Sequence, residues 1–590
     1  MATNKQRSSF HTAFYIANTM EIFERLAWYG MYTLLANYVM TPQSQGGLGM
    51  GNAERGLIMG IVPFFLYLFP VVSGALADRF GYRKMFLLAF TIMAPSYFLL
   101  SFAKDLWSFI AIFMLVALGA GIFKPVVTGT IGRTTDISNR GLGFGIFYMM
   151  VNIGGFLGPL IAPIVQKNLG WNWVFIIAAL WISLNFIPAL FFYKEPTKNL
   201  DKKPLAQVFN EMQQVLGNAR LALLIVPLLF LLIAFYAEFI SSGVLTLTIA
   251  LSWIIFSVCW DLIAKMQSNK TPSWYQQTMQ IGNKPFMIYL LILTGFWTVY
   301  LQIFVTFPLY VRDFVDTADL VDLLHHISPW LYETLTSIDT KLFAHELLNA
   351  SQKLLNHSNV NNLTTQVLPE IQQALKSMDV RVPISELNNV LPLIANDHSL
   401  AEHYSNLWSV KYRQMNPATI LSIDFLMIIC GQVFISRFID KFNTLKVLIA
   451  GTAILSGALL LNGIAHSLLF GGLLAVTSVF VFAIGEMTAS PKSQEYVASF
   501  APKDKVAMFM GYYFVSMALG NLFAGLLSGW LYSWLVNSLK QPSLLWIIIA
   551  SLGAFTCLAL YVFNQTLVKE LNEQQVTALD KSMLLINENE

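Results

Sequence analysis

Charge is scarce in this sequence: of 590 residues only 12% are Asp, Glu, Lys or Arg, about half the share found in soluble domains. So few charges cannot cover the surface of an ordinary soluble enzyme, and 56% of the residues are hydrophobic. A charge excess of either sign is missing too. The 36 Lys and Arg stand against 33 Asp and Glu, so no basic field exists to hold a nucleic acid by counterion release, and none is expected as a partner. Cysteine is rarer still. Cys259, Cys430 and Cys557 lie far apart inside apolar runs, without the paired spacing of a metal site or a disulfide framework, and read as buried packing residues. The N-terminus, Met1 to Ser9, is polar, and the apolar run behind it ends in no small-residue cleavage site, so no removable signal peptide is expected.

What the sequence has in quantity is apolar runs of membrane-spanning length, about 20 residues each. Fourteen are found: His11 to Met40, Glu54 to Asp78, Met85 to Ala103, Trp107 to Ile131, Leu142 to Gln166, Asn172 to Tyr193, Leu221 to Ile240, Val244 to Ala264, Pro285 to Val311, Pro417 to Phe438, Leu445 to Ala465, Leu468 to Ser490, Val506 to Trp534 and Ser543 to Phe563. They fall as six, then a pair joined only by Ser241, Ser242 and Gly243, then six. Alternate loops carry the Lys and Arg: Arg79, Arg83 and Lys84, then Arg133 and Arg140, Lys194 to Lys203, Arg437 and Lys441, Lys503 and Lys505. The positive-inside rule makes these loops and both termini cytoplasmic. Thr197 to Arg220, with Leu205, Val208, Phe209, Met212 and Val215 at helical spacing, suits an amphipathic helix on the inner surface.

Phe314 to Met415 is polar enough to stand outside the bilayer, on the extracytoplasmic side. Its Leu and Ile residues from Leu320 to Leu348 recur mostly at three- and four-residue steps, which predicts a small cap of packed amphipathic helices. Six of the eight histidines lie there, His325, His326, His345, His357, His398 and His403, without ligand spacing, so no metal is expected. The partner of this insert is unknown.

Glu21, Glu24 and Arg25 stand on one face of the first run at steps of three and four. Each charge at mid-membrane costs about 2.5 to 3.5 kcal/mol, so three together mark a functional site. A simple Glu21 to Arg25 salt bridge leaves Glu24 unexplained. An acid beside a fixed cation can exchange a proton while it changes partners, which is the chemistry of proton-coupled transport.

Glu21-Ile-Phe-Glu24-Arg25-Leu-Ala-Trp28-Tyr29-Gly30 resembles the ExxERxxYG signature of the proton-dependent oligopeptide transporters of the major facilitator superfamily. Gly74-Ala-Leu-Ala-Asp78-Arg79-Phe-Gly81-Tyr-Arg83-Lys84 is similar to the superfamily's loop between helices 2 and 3. Gly119-Ala-Gly121-Ile-Phe-Lys124-Pro125 and Phe147-Tyr148-Met-Met-Val-Asn152-Ile-Gly154 are similar to patterns in helices 4 and 5. Phe296-Trp297 with Gln302, Asn416-Pro417, and Gly485-Glu486 before Ser490-Pro491 are similar to helices 7, 8 and 10. The extra hairpin resembles that of bacterial members.

The resemblance implies an all-α facilitator fold: twelve core helices in two six-helix halves, plus the hairpin and the external helical insert. The expected organisation is 9–193 for the first half, 194–284 for the amphipathic helix and hairpin, 285–313 for helix 7, 314–415 for the insert, 416–565 for helices 8 to 12, and 566–590 for a cytoplasmic tail. The implied activity is proton-coupled symport of di- and tripeptides by alternating access across a bacterial inner membrane. No cofactor is implied, and no enzyme activity. Glu21, Glu24, Arg25 and Glu486 would couple protons. Lys124 with Arg25 would bind the substrate carboxylate, and Glu486 would hold its amino group or stabilise the closed state as an ion pair, while Tyr29, Tyr32, Tyr67, Asn152, Gln302, Asn416, Ser490 and Tyr513 would line the cavity. Asp78, Arg79 and Arg83 would form a cytoplasmic latch.

Two positions depart from the pattern. Tyr32 stands where Arg or Gln is usual, and Leu301 stands where an acid commonly precedes Gln302. Asp424, two turns into the apolar run Ile420 to Ile429, could take over a gating or proton-binding role, or could bond a neighbouring helix's hydroxyl as structural glue. Three rivals stay open: the same fold with another small solute, a proton-driven exporter, and a receptor or scaffold using the insert.

Overall fold

The computed structural model describes residues 10–43, 46–50, 52–136, 138–196, 204–236, 239–266, 273–357, 364–502 and 505–566. These are almost entirely helical. The first half consists of α1 (Thr12–Met40), α2 (Asn52–Leu68), α3 (Pro70–Phe80), α4 (Tyr82–Leu100), α5 (Leu106–Thr134), α6 (Arg140–Leu169) and α7 (Trp171–Leu184). A short amphipathic α8 (Leu205–Leu216) precedes the hairpin of α9 (Ala219–Tyr236) and α10 (Gly243–Met266). The second half opens with α11 (Lys284–Tyr300), α12 (Gln302–Val305) and α13 (Phe307–Phe314), which together form one span. The insert follows as α14 (Ala318–Ile327), α15 (Pro329–Leu335), α16 (Thr340–His357), α17 (Thr364–Lys376), α18 (Ile384–Asn396) and α19 (Leu400–Lys411). The chain closes with α20 (Pro417–Ile439), α21 (Thr444–Ala465), α22 (Gly471–Phe500), α23 (Val506–Leu531) and α24 (Pro542–Gln565).

Among the described residues twelve helical spans are long and apolar enough to cross a membrane. With α1, whose length is ample but whose centre is charged, and the shorter α9, they account for the fourteen apolar runs. The chain is a multi-pass membrane protein. Its breaks have covalent causes. Pro70 has no amide hydrogen to continue α2 across Phe69, and Pro308 interrupts the seventh span at Thr306. Lipid-facing residues are apolar without being buried: Phe434 is 83% exposed and Phe191 74%. The cysteines follow this rule and correct the expectation of burial. Cys259 and Cys430 are exposed and Cys557 is half-buried, because in a bilayer the outside of a helix is as apolar as the core.

Three boundaries differ from the sequence reading. Span ten runs on to Phe500, beyond Ser490, because Lys492 meets Asp440 and Glu495 and is only 2% exposed. The amphipathic helix is confined to Leu205–Leu216 by Gly217, whose φ of +130° suits glycine alone, and Arg220 belongs to α9. Residues 1–9, 197–203 and 567–590 lie outside the described residues, as does the side chain of His357.

The insert contains two packing units. Phe343, Leu347, Leu375, Val380, Leu387, Leu391, Ile394 and Trp408 form a core of their own. Leu320 and Val321 of α14 pack instead on the membrane core, while Ile327, Leu335 and Leu342, all on the predicted apolar stripe, are exposed. Arg381 ties the insert down by donating to the carbonyls of Val311, Arg312, Asp313 and Val315, the open end of α13. Asp319 accepts from the Leu473 amide at 2.8 Å and caps α22.

Candidate functional site

At the centre of the first half, Arg25 lies between two acids of its own helix, 3.2 Å from Glu21 and 2.5 Å from Glu24. None of the three is more than 3% exposed. Lys124 of α5 faces the same acids, with its ammonium 5.2 Å from the Tyr67 ring and 5.9 Å from the Phe514 ring. Phe514 comes from α23, so this cation sits where the halves meet. The Arg25 guanidinium also lies 5.7 Å from the Tyr29 ring. The structure therefore brings Glu21, Glu24, Arg25, Tyr29, Tyr67 and Lys124 into one buried cluster. Tyr32 stacks on Trp28 with ring centroids 5.0 Å apart.

Across the centre, Glu486 of α22 is 1% exposed. It accepts hydrogen bonds from Tyr148 of α6, in the opposite half, and from Tyr300 of α11 at 2.7 Å. Asp424 of α20 lies against it. Ser490, one turn on from Glu486, is fully buried beside Tyr148. Tyr513 shares a hydrogen bond of 2.8 Å with Ser493 and presents its ring to Trp297. Asn152 bonds its own helix at the Tyr148 carbonyl, 2.8 Å away.

Two expected wall residues stand elsewhere. Gln302 is fully buried at the break in the seventh span, where it donates to the carbonyls of Thr298 and Ala524 and accepts from Thr306. The interrupted helix leaves polar groups in an apolar layer, and this amide satisfies them. Asn416 caps α20 through the Ala418 amide and donates to Asp379 of the insert at 2.8 Å, so it joins insert to helix.

The ends of the helices that carry the basic loops, here the basic end, are tightly closed. A Cβ at Gly74 would lie 2.3 Å from the Ala507 carbonyl oxygen, and one at Gly511 would lie 2.1 Å from that of Pro70. Asp78 spans the halves: it accepts from Arg133 at 2.7 Å, Tyr82 at 2.8 Å and the Met508 amide at 2.8 Å, at the start of α23. The arginines of the expected latch do not share that position. Arg83 bonds Glu195 and the carbonyls of Ala189 and Leu190 within the first half, and Arg79 lies over the Phe80 ring. The second half repeats the device. Asp440, followed like Asp78 by a cation and Phe, pairs with Lys492 at 3.0 Å and lies so close to Gly141 at the start of α6 that any side chain there would collide.

The sequence reading assigned no site role to Tyr148, Tyr300, Arg133 or the Asp440–Lys492 pair. The repeat Asp-Arg-Phe and Asp-Lys-Phe was a usable signal for Asp440. No spacing rule connects Tyr148 or Tyr300 to an acid 338 or 186 residues away.

The family model described as Major Facilitator Superfamily matches residues 20–322 and 378–583, and its gap falls inside the insert. A di-/tripeptide transporter of Lactococcus lactis subsp. lactis is 30% identical over 200 residues, 31% of this chain and 39% of that protein. The peptide transporter YePEPT of Yersinia enterocolitica is 31% identical over 185 residues, 29% and 36% of the two chains. The uncharacterized transporter YclF of Bacillus subtilis is 31% identical over 170 residues, 28% and 35%. The chain thus aligns with less than two fifths of the length of these relatives. Among solved structures, a POT family transporter in complex with 5-aminolevulinic acid superposes with a TM-score of 0.53 at 18% identity, over 93% of this chain and 95% of the other. The human organic anion transporter MFSD10 superposes with 0.52 at 13% identity, over 93% and 99%. These two likenesses show the fold.

Proposed function

The chain belongs to the Major Facilitator Superfamily, and we propose that within it this protein is a secondary active carrier that takes up di- and tripeptides together with protons. One observation carries the reading: the cations Arg25 and Lys124 are buried beside Glu21 and Glu24 in the first half, and facing them in the second half lies Glu486, which has no cation partner among the described residues. A zwitterionic peptide has the complementary pattern. Its carboxylate is drawn to the cations and its ammonium to Glu486, and in a site of low dielectric both attractions exceed their strength in water. A ligand that bridges the halves stabilises the closed carrier and so links binding to rocking of one half on the other. The relatives named as peptide transporters support this cargo.

The basic end faces the cytoplasm, since it collects Arg79, Arg83, Arg133, Arg140 and Lys492. The insert then stands outside, and the membrane is a bacterial inner membrane. With the basic end closed and the central charges buried, the site is shut off from the cytoplasmic side. Asp78 and Asp440 hold it there and release when the halves tilt. Glu21 and Glu24 exchange their hold on Arg25 as one of them is protonated.

Uptake of labelled dialanine into liposomes containing the purified protein tests this, with and without an inward proton gradient and with Glu24→Gln in parallel. Gradient-driven accumulation in the wild type, lost in the variant, is expected. Absence of accumulation from folded protein would overturn the peptide reading. A second reading, another small zwitterion on the same fold, is favoured by Tyr32, which stacks on Trp28 where a cationic or amide side chain is usual. Failure of di- and tripeptides to compete with that solute would select it.

A further inference from the structure

The second half holds a group that peptide binding alone leaves unused. Asp424 and Glu486 are each 1% exposed, and their carboxyl groups lie against each other. They project from different helices, α20 and α22, into the plane where the halves meet. Tyr148 of α6 and Tyr300 of α11 both direct their hydroxyls at Glu486 Oε1. Neither oxygen of Asp424 meets a donor from a hydroxyl, amide or cation, and Glu486 Oε2 meets none either.

The titratable groups around the pair are the phenols of Tyr148 and Tyr300, with Tyr29 of α1 facing Glu486 from the first half. Among the described residues neither carboxylate has an ion-pair partner. The guanidinium of Arg25 is committed to Glu21 and Glu24 on its own helix. Structural glue through a neighbouring hydroxyl does not account for Asp424, since no hydroxyl reaches it. Two ionised carboxylates in contact away from water repel strongly, while one proton between them turns the repulsion into a hydrogen bond, and the pair then titrates as a unit.

We propose that Asp424 and Glu486 form the proton-carrying site of the second half, holding one proton between them in the empty carrier. The proposal rests on the peptide reading above for what happens next. When a peptide arrives, its ammonium pairs with the Glu486 carboxylate and the proton settles wholly on Asp424. The loaded carrier therefore holds one ammonium and one proton side by side, and each leaves on the far side, the ammonium with the peptide and the proton from Asp424 to water; the emptied pair returns without it and takes up its next proton from the outer side before it meets another peptide. No bond other than the Asp424 O–H forms or breaks. The arrangement makes Asp424 the residue that separates coupling from binding. Glu486 alone suffices to hold the peptide, whereas the second carboxyl group is needed to bring a proton with it.

The test uses the full chain in liposomes, as wild type and as Asp424→Asn, with labelled dialanine. Two transport modes are compared: exchange of external for internal dialanine without a gradient, and accumulation under an inward proton gradient. The expected result is exchange that persists in Asp424→Asn, with accumulation lost to the level of the gradient-free control. Gradient-driven accumulation equal to wild type would overturn the proposal. So would loss of exchange in monodisperse, folded variant protein, because Asp424 would then serve a step common to both modes. Infrared spectroscopy reads the proton without any substrate. A carbonyl band of a protonated carboxyl group at neutral pH should be present in the wild type and reduced in Asp424→Asn, and its absence from the wild type, or an unchanged band in the variant, would also overturn the proposal. A wild type that exchanges no dialanine yet shows this band would instead count against the peptide reading and leave the shared proton standing.

Discussion

Glu486 is held by two phenols that reach it from opposite sides of the inter-half plane. Each hydrogen bond to a buried ionised group is worth about 1.5 to 3 kcal/mol. Tyr300→Phe removes one without changing shape, and should weaken half-saturation for dialanine by about tenfold or more, measured as uptake against peptide concentration. Outside the membrane, Asp379 illustrates the opposite relation between burial and charge. Burial pushes its carboxyl above the ordinary range, and the Asn416 amide only partly offsets this. The native state therefore holds the Asp379 proton to higher pH than the unfolded chain. The stability linked to this residue is complete in acid and declines as pH rises through the folded-state value. Asp379 also has a φ of +60°, a conformation that asparagine accepts. Asp379→Asn should raise the thermal midpoint by about 1 °C near pH 8 and by much less near pH 4, read from thermal unfolding at both values.

Pairs of helices from opposite halves approach most closely where they carry glycine. Gly74 on α3 and Gly511 on α23 bring two backbones together at the basic end, and Gly145 of α6 leaves room for the Ser436 side chain of α20. Close approach of this kind lets backbones pack without side chains between them. It also makes the closed basic end sensitive to volume. Gly74→Leu places a side chain where the Ala507 carbonyl stands, with backbone on both sides and nothing that can swing away. The variant should populate the state open at the basic end. Spin labels at Lys84 and Lys446, one per half and both exposed, should report a longer distance than in the wild type, and dialanine uptake should be lost. The α22 helix shows why its end was misplaced from sequence. Its last turns carry Lys492, Gln494 and Glu495, which look like a loop until Asp440 is seen to neutralise the lysine.

Every contact of the insert described here falls on the second half: Arg381 on α13, Asp319 on α22 and Asp379 on Asn416 before α20. The insert should therefore move with that half as one body. Spin labels on Gln352 and Leu469 should keep a constant distance with and without dialanine, while Gln352 to Leu169, across to the first half, should change. A distance from Gln352 to Leu469 that shifts with substrate would show the insert hinging on its own. The sequence by itself determined the helices, since membrane length, apolar composition and proline breaks are local properties. It also determined the charged face of α1, because Glu21, Glu24 and Arg25 are one turn apart on a single helix. Lys124 was legible through the family pattern. Only the tertiary structure decided which groups meet across the centre: Tyr148 and Tyr300 on Glu486, Asp424 beside it, Arg133 on Asp78, and Gln302 and Asn416 drawn away from the cavity. The reason is physical. A helix's own periodicity sets which residues share its faces, but the energy of a buried charge depends on the partners that other helices bring, and those are known only once the two halves are packed together.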